Sequence, residues 1–199
     1  YTVRWIDIDT NEPIKPDDVR SANTDTPVAV KAADKIIPGY EYVAEGSVTS
    51  GTVAADGSLA LTLNFKKAQV PYTVHYYLEG TETPLAGDTL GKGIYGTTVE
   101  VSAQSIPGYT VVGPATQLLP LLEPKNNETI FYYSADAASI VFEENGGSEV
   151  ADLAGRTGEA LASTAMPTTT RAGYTFAGWY DNAQLSGPEA TALPAVYPA

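Results

Sequence analysis

The chain has 199 residues, room for one large domain or two to three small ones, and carries 11 Lys and Arg against 24 Asp and Glu, a net charge of −13. That balance argues against nucleic acid and anionic membrane surfaces as partners, because both select basic patches. With no cysteine and one histidine, disulfides, thiolate or His-pair metal sites and a cysteine nucleophile are also excluded, and no apolar run approaches the roughly 20 residues of a membrane span.

In chain order, the first segment opens with a strand in which Val3 and Trp5 share one face and Thr2 and Arg4 the other. Asp7-Ile8-Asp9-Thr10-Asn11 begins like a calcium loop, but an EF-hand needs Gly sixth and Glu twelfth, where Glu12 and Asp18 stand. A polar turn after the strand is the better reading, with a loose non-EF calcium site as the alternative. Ile37-Pro38-Gly39-Tyr40 sets a bend into a new strand, Pro fixing one dihedral and Gly permitting the turn, and it predicts a largely buried Tyr40. The Asp56-Gly57 pair predicts a hairpin into Leu59, Leu61, Leu63 and Phe65, which alternate with Ala60, Thr62 and Asn64.

The same signals then return. Tyr72-Thr73-Val74-His75-Tyr76 puts Val74 and Tyr76 on the apolar face and His75 on the opposite one, as a solvated strand residue. Gly91-Lys92-Gly93-Ile94-Tyr95-Gly96 is literally G-x-G-x-x-G. A strand pattern follows it rather than a helix, so these read as turn glycines and not as a phosphate loop. Ile106-Pro107-Gly108-Tyr109 repeats the earlier bend and predicts a buried Tyr109. Asn127-Glu128-Thr129 is a formal glycosylation sequon, read as idle. Val150 to Ala165 is the best helix candidate, and Gly155 and Gly158 break it at about 1 kcal/mol each.

Three anchors thus recur in the same order and at nearly the same offset. Tyr1-Thr2-Val3 returns as Tyr72-Thr73-Val74, Ile37-Pro38-Gly39-Tyr40 as Ile106-Pro107-Gly108-Tyr109, and Leu63-Asn64-Phe65 roughly as Ile130-Phe131-Tyr132. A third, more distant unit opens with Ile140-Val141-Phe142 and carries Ala172-Gly173-Tyr174 in place of Pro-Gly-Tyr. The chain therefore divides into modules 1–68, 72–135 and 139–199, each marginal alone at about 65 residues. The joints are too short for a module to fold back on its neighbour, and too poor in Gly and Ser to act as flexible coil. This predicts an extended array of monomeric chain.

No paired carboxylates, nucleophile elbow or metal-ligand spacing stands out, so no catalytic residue, cofactor or metal is expected. Gly173-Tyr174-Thr175-Phe176-Ala177-Gly178-Trp179-Tyr180 concentrates four aromatics in eight residues. Tyr174, Phe176 and Tyr180 share strand parity, with Trp179 on the other face unless Gly178 bulges. Module core is one reading. A sugar- or peptide-stacking contact through Trp179 and Tyr180 is the other.

Ile140-Val141-Phe142-Glu143-Glu144-Asn145-Gly146-Gly147 together with Thr170-Arg171-Ala172-Gly173-Tyr174-Thr175-Phe176-Ala177-Gly178-Trp179-Tyr180-Asp181 resembles the internalin-type B-repeat (Listeria–Bacteroides repeat) family of bacterial surface proteins. The first two modules resemble the MucBP, or mucin-binding-protein, repeats through Val3-Arg4-Trp5-Ile6-Asp7, Val74-His75-Tyr76-Tyr77, the two Ile-Pro-Gly-Tyr tetrapeptides and the closing Leu63-Asn64-Phe65 and Phe131-Tyr132-Tyr133.

These resemblances imply a mainly β, α+β architecture of three tandem β-grasp (ubiquitin-like) modules in a cell-wall-attached, extracellular protein of Gram-positive type. Neither family brings catalytic residues. The function they imply is that of a non-enzymatic adhesin stalk or spacer. The alternatives are a module binding host glycoprotein or glycan, and an accessory region of a large secreted enzyme. The B-repeat pattern closes with a Y-A-x-W strand, where this chain has Val196-Tyr197-Pro198-Ala199, and Leu193-Pro194-Ala195-Val196-Tyr197 is no sortase motif. Both departures, with the opening on Tyr1 rather than Met, lead to the expectation that the chain is a piece of a longer protein whose third module lacks its final strand.

Overall fold

A computed structural model describes residues 1–199. The first repeat supplies β1 (Thr2–Asp7), β2 (Glu12–Pro13), β3 (Asp18–Val19), β4 (Pro27–Ala29), β5 (Tyr40–Val48), β6 (Ser50–Thr52) and β7 (Ala60–Lys67). The second supplies β8 (Gln69–Leu78), β9 (Thr89–Ile94), β10 (Thr98–Ser102), β11 (Tyr109–Val111), β12 (Thr116–Pro120) and β13 (Asn127–Ala135), and the third β14 (Ala137–Ile140) and β15 (Leu153–Arg156). The chain forms two compact units: residues 1–75, 88–101 and 116–129, and residues 76–87, 102–115 and 130–199.

In the first unit, β1 lies parallel to β7, from Thr2 opposite Ala60 to Asp7 opposite Phe65, while β5 runs antiparallel to β7. The sheet order is β2-β1-β7-β5, with β3 also beside β1. A parallel pair needs a long crossover. Here the crossover contains one 3-10 turn, Ala32–Lys35, and the chain has no α-helix. Period-2 alternation places Val3, Trp5, Leu61, Leu63 and Phe65 on one face, each at most 1% exposed.

The expected hairpin around Asp56-Gly57 does not form. The turn is present, with the Gly57 N–H on the Ala54 carbonyl at 3.1 Å, but β6 pairs with β4. β7 is taken by β1 and β5, because its apolar face completes the core only between them. Asp7 to Asn11 is the tight turn joining β1 to β2, where the Asp9 N–H bonds the Asp7 carboxylate at 3.0 Å.

A clamp locks the crossover to the core. Arg20 donates from both terminal nitrogens to Asp34, at 2.8 and 2.7 Å, the Lys31 N–H adds a third bond at 2.7 Å, and the Trp5 indole N–H reaches the Asp34 carbonyl at 2.8 Å. The Arg20 hydrogen bonds, more than those from Lys31, hold the Asp34 carboxyl down from 3.8 to about 2 despite burial. A folded-state pKa below the unfolded one contributes stability that is complete above about pH 4 and lost as pH falls through 2, here about 2 kcal/mol. Urea unfolding of Asp34→Asn is expected to show that deficit at pH 7 and a shrinking gap to the parent chain between pH 4 and 2. A gap independent of pH would contradict the clamp.

Also in this unit, β8 and β9 pair antiparallel from Gln69 opposite Ile94 to Val74 opposite Thr89. The G-x-G-x-x-G stretch is thus strand and turn. A Cβ on Gly91 would strike the Tyr72 ring and one on Gly93 would strike Leu121, while Gly96 turns at φ +78. Val70, Leu119 and Leu121 form a second small core against which Tyr72, Tyr95 and Val99 pack.

In the second unit, β11 pairs antiparallel with β13, from Tyr109 opposite Ala135 to Val111 opposite Tyr133. Tyr76 stacks on Phe131, ring centres 6.1 Å apart at 9°, and the Tyr133 hydroxyl donates to the Gln104 carbonyl at 2.8 Å. β14 and β15 form a hairpin, Ala137 opposite Arg156 to Ile140 opposite Leu153. The rest of the third repeat is turns tied by single bridges, Ala160–Val196, Ala165–Ala192 and Trp179–Ala190. Val150 to Ala165 contains β15 and no helix.

Candidate ligand-contact site

The aromatic block of the third repeat is not a regular strand, so parity does not govern it. Gly178 sits at φ +117 and turns Trp179 towards Phe176, whose ring centre lies 5.6 Å away. Phe142, 8% exposed, also meets Trp179, with ring centres 5.1 Å apart. The indole N–H is spent on the Pro167 carbonyl at 2.7 Å. Trp179 is therefore half-buried and anchors the repeat's small core, and Tyr180 beside it is half-buried too. The most exposed rings are Tyr174 at 68% and Phe176 at 40%. Arg171 lies 4.2 Å over the Tyr174 ring and donates to the Asn145 carbonyl at 3.0 Å.

The residues that carry the B-repeat resemblance hold this corner together. Asn145 and Gly146 adopt positive φ, the Gly147 N–H closes on the Glu144 carbonyl at 3.0 Å, and Glu144 accepts the Val150 N–H at 2.7 Å. Buried Thr169 fills the space over Gly147 and bonds the Ser148 carbonyl at 2.6 Å. Their chemistry is that of turn closure, not of catalysis.

Elsewhere, a groove of about 410 Å³ lies between Pro71, Tyr72 and Thr73 and the loop from Pro124 to Glu128. Asn127 closes its floor. It is 5% exposed, donates to the Pro71 and Glu123 carbonyls at 2.9 and 2.8 Å, and accepts the Glu123 N–H at 3.1 Å. The sequon side chain is thus consumed in the fold. His75 sits between carboxylates, Nδ1 2.9 Å from Asp88 and Nε2 3.9 Å from Glu128. These partners were not legible in the local sequence, because Asp88 and Glu128 are remote from His75 along the chain and meet it only across paired strands. No group of three or more His, Asp or Glu side chains is arranged to hold a metal ion.

Small, tandem, nearly all-β repeats with turn-forming signature residues define the class of protein. The MucBP domain matches residues 2–63 and 71–145, and the Listeria-Bacteroides repeat domain matches residues 139–196. The chain belongs to the MucBP domain family. Both families are repeat domains of extracellular bacterial surface proteins and are non-catalytic.

No curated protein matches the chain. Among solved structures it is similar to Mub-RV, at 17% identity over 68% of this chain and 97% of that one, with a TM-score of 0.27. It is also similar to the type 2 repeat of the mucus binding protein MUB from Lactobacillus reuteri, at 16% identity over 68% and 98%, with a TM-score of 0.28. A MucBP domain from Lactobacillus acidophilus matches at 20% identity over 35% and 92%, with a TM-score of 0.24. No helix is long and apolar enough to cross a membrane.

Proposed function

We propose that residues 1–199 are a non-enzymatic spacer of a cell-wall-attached bacterial adhesin, built of modules 1–68, 72–135 and 139–199 that each act as a bead. The observation supporting this most strongly is that the chain passes from the first repeat to the second, and from the second to the third, through the same built contact. Ala68 donates to the Gly39 carbonyl at 2.9 Å and accepts from the Tyr95 N–H at 2.9 Å. Asp136 donates to the Gly108 carbonyl at 2.9 Å and accepts from the Thr157 N–H at 3.0 Å. A linker residue bonded on both sides is held, and held joints are what a spacer requires.

A second reading is favoured by the exposure of Tyr174 and Phe176 beside Trp179 and Tyr180. In it, the third module contacts a host glycoprotein or glycan through these rings. Immobilised mucin and a glycan array probed with the chain separate the two. The spacer reading expects background signal. Saturable binding that Tyr180→Ala abolishes while leaving the melting curve intact would favour the second.

A further inference from the structure

The Ile-Pro-Gly-Tyr turn occurs three times along the chain, the third time as Arg171-Ala172-Gly173-Tyr174. The tyrosine N–H bonds the carbonyl three residues earlier at 3.1 Å in each case: Tyr40 to Ile37, Tyr109 to Ile106 and Tyr174 to Arg171. The glycines between sit at φ +80, +76 and +79. The first two turns are occupied. Besides the linker bonds described above, a Cβ on Gly39 would lie 2.5 Å from the Tyr95 ring, and one on Gly108 would lie 2.5 Å from Thr157 Cγ2. Tyr40 meets Tyr95 edge-on at 5.7 Å, and the Tyr109 hydroxyl lies 2.7 Å from a Cβ position on Gly158.

The receiving turns are equally alike. Gly96 and Gly158, at φ +78 and +76, follow Tyr95 and Thr157. Gly96 donates to Leu121, whose own N–H returns to Thr97, at 2.7 and 2.8 Å. Gly158 donates to Tyr197, whose N–H returns to Glu159, at 2.9 and 2.8 Å. The joint is therefore one device used twice: a glycine whose bare Cα admits a close neighbour, a tyrosine beside it, and an incoming turn.

The third copy of the first half of this device is open. No atom lies within 4 Å of a Cβ position on Gly173, and Tyr174 is 68% exposed, where Tyr40 and Tyr109 are half-buried. We propose that the Gly173–Tyr174 turn is a docking surface for a further repeat module of the same polypeptide, which would present a turn built like Tyr95-Gly96 or Thr157-Gly158. The inference deepens the tandem-repeat reading above. Glycan binding would overturn the spacer role and leave this contact standing.

The test is tyrosine nitration by tetranitromethane, mapped by mass spectrometry. In the 199-residue chain Tyr174 should react at least tenfold faster than Tyr40 or Tyr109. In the encoded polypeptide carried through its next repeat, Tyr174 should fall to their rate. Replacing the residue of that repeat aligned with Tyr95 and Thr157 by glycine should restore reactivity, which separates docking from simple cover by a strand of the third repeat. Unchanged Tyr174 reactivity in the longer chain, protection that survives the glycine variant, or an encoded continuation with no further repeat would each overturn the proposal.

Discussion

Trp5→Ala is expected to unfold the first repeat. The ring is 1% exposed, packs among Val3, Leu61, Leu63 and Phe65, carries Lys15 3.6 Å over its face, and donates to the Asp34 carbonyl. Truncating a buried Trp to Ala costs about 3–5 kcal/mol in lost transfer and cavity. The Asp34 carbonyl left without its donor adds about 1–3 kcal/mol. The proposed module of roughly 65 residues would hold only about 3–10 kcal/mol in all. Trp5→Phe keeps most of the volume and loses the hydrogen bond, so it should cost roughly 2 kcal/mol. Urea titration followed by circular dichroism reads both. Losses below about 1 kcal/mol for the alanine variant, the range of ordinary surface changes, would show that β1 is not the centre of the core.

The second large effect separates joint contact from backbone strain. Gly39→Ala, Gly108→Ala and Gly173→Ala place the same methyl group at nearly the same left-handed φ, and that alone costs about 1–2 kcal/mol. At Gly39 the methyl also meets the Tyr95 ring, which is itself packed on Val70, Leu119 and Leu121. At Gly108 it meets buried Thr157. Neither neighbour can swing away freely, so overpacking adds about 1–3 kcal/mol at those two positions only. Expected losses are about 2–5 kcal/mol at Gly39 and Gly108 and about 1–2 kcal/mol at Gly173, read by urea unfolding. Equal losses at all three would mean that the joints carry no packing energy.

The sequence was most informative where one face of a strand is buried. Alternation along Val3–Trp5, Leu61–Phe65 and Val74–Tyr76 identified core residues that the structure leaves at most 1% exposed, because a period of two survives any sheet topology. Strand partners were less legible. Asp56-Gly57 forms its turn, yet the strands flanking it pair elsewhere, since pairing depends on which neighbours bury the β7 face. Tyr40 and Tyr109 were expected largely buried and are half-buried: Tyr40 packs against the core of Val3, Trp5, Leu61, Leu63 and Phe65 and also meets Tyr95 edge-on, and the Tyr109 hydroxyl sits over Gly158.

The Arg20–Asp34 clamp joins two positions of an irregular crossover, where no periodicity reveals it. The recurrence of Ile-Pro-Gly-Tyr was plain, but its role as half of a joint was not. That role exists only when Tyr95 and Thr157 are brought over the glycines.

The spacer role makes its sharpest claim about size in solution. A single compact domain of this length would have a radius of gyration of about 16 Å by the usual scaling. Three beads of about 11 Å each, in line at an assumed centre spacing of roughly 35 Å, give about 30 Å. Small-angle X-ray scattering of the 199-residue chain in physiological salt is the direct measurement. The result expected of a spacer is about 30 Å, whereas a result of about 16 Å would contradict both the bead-like modules and the function drawn from them.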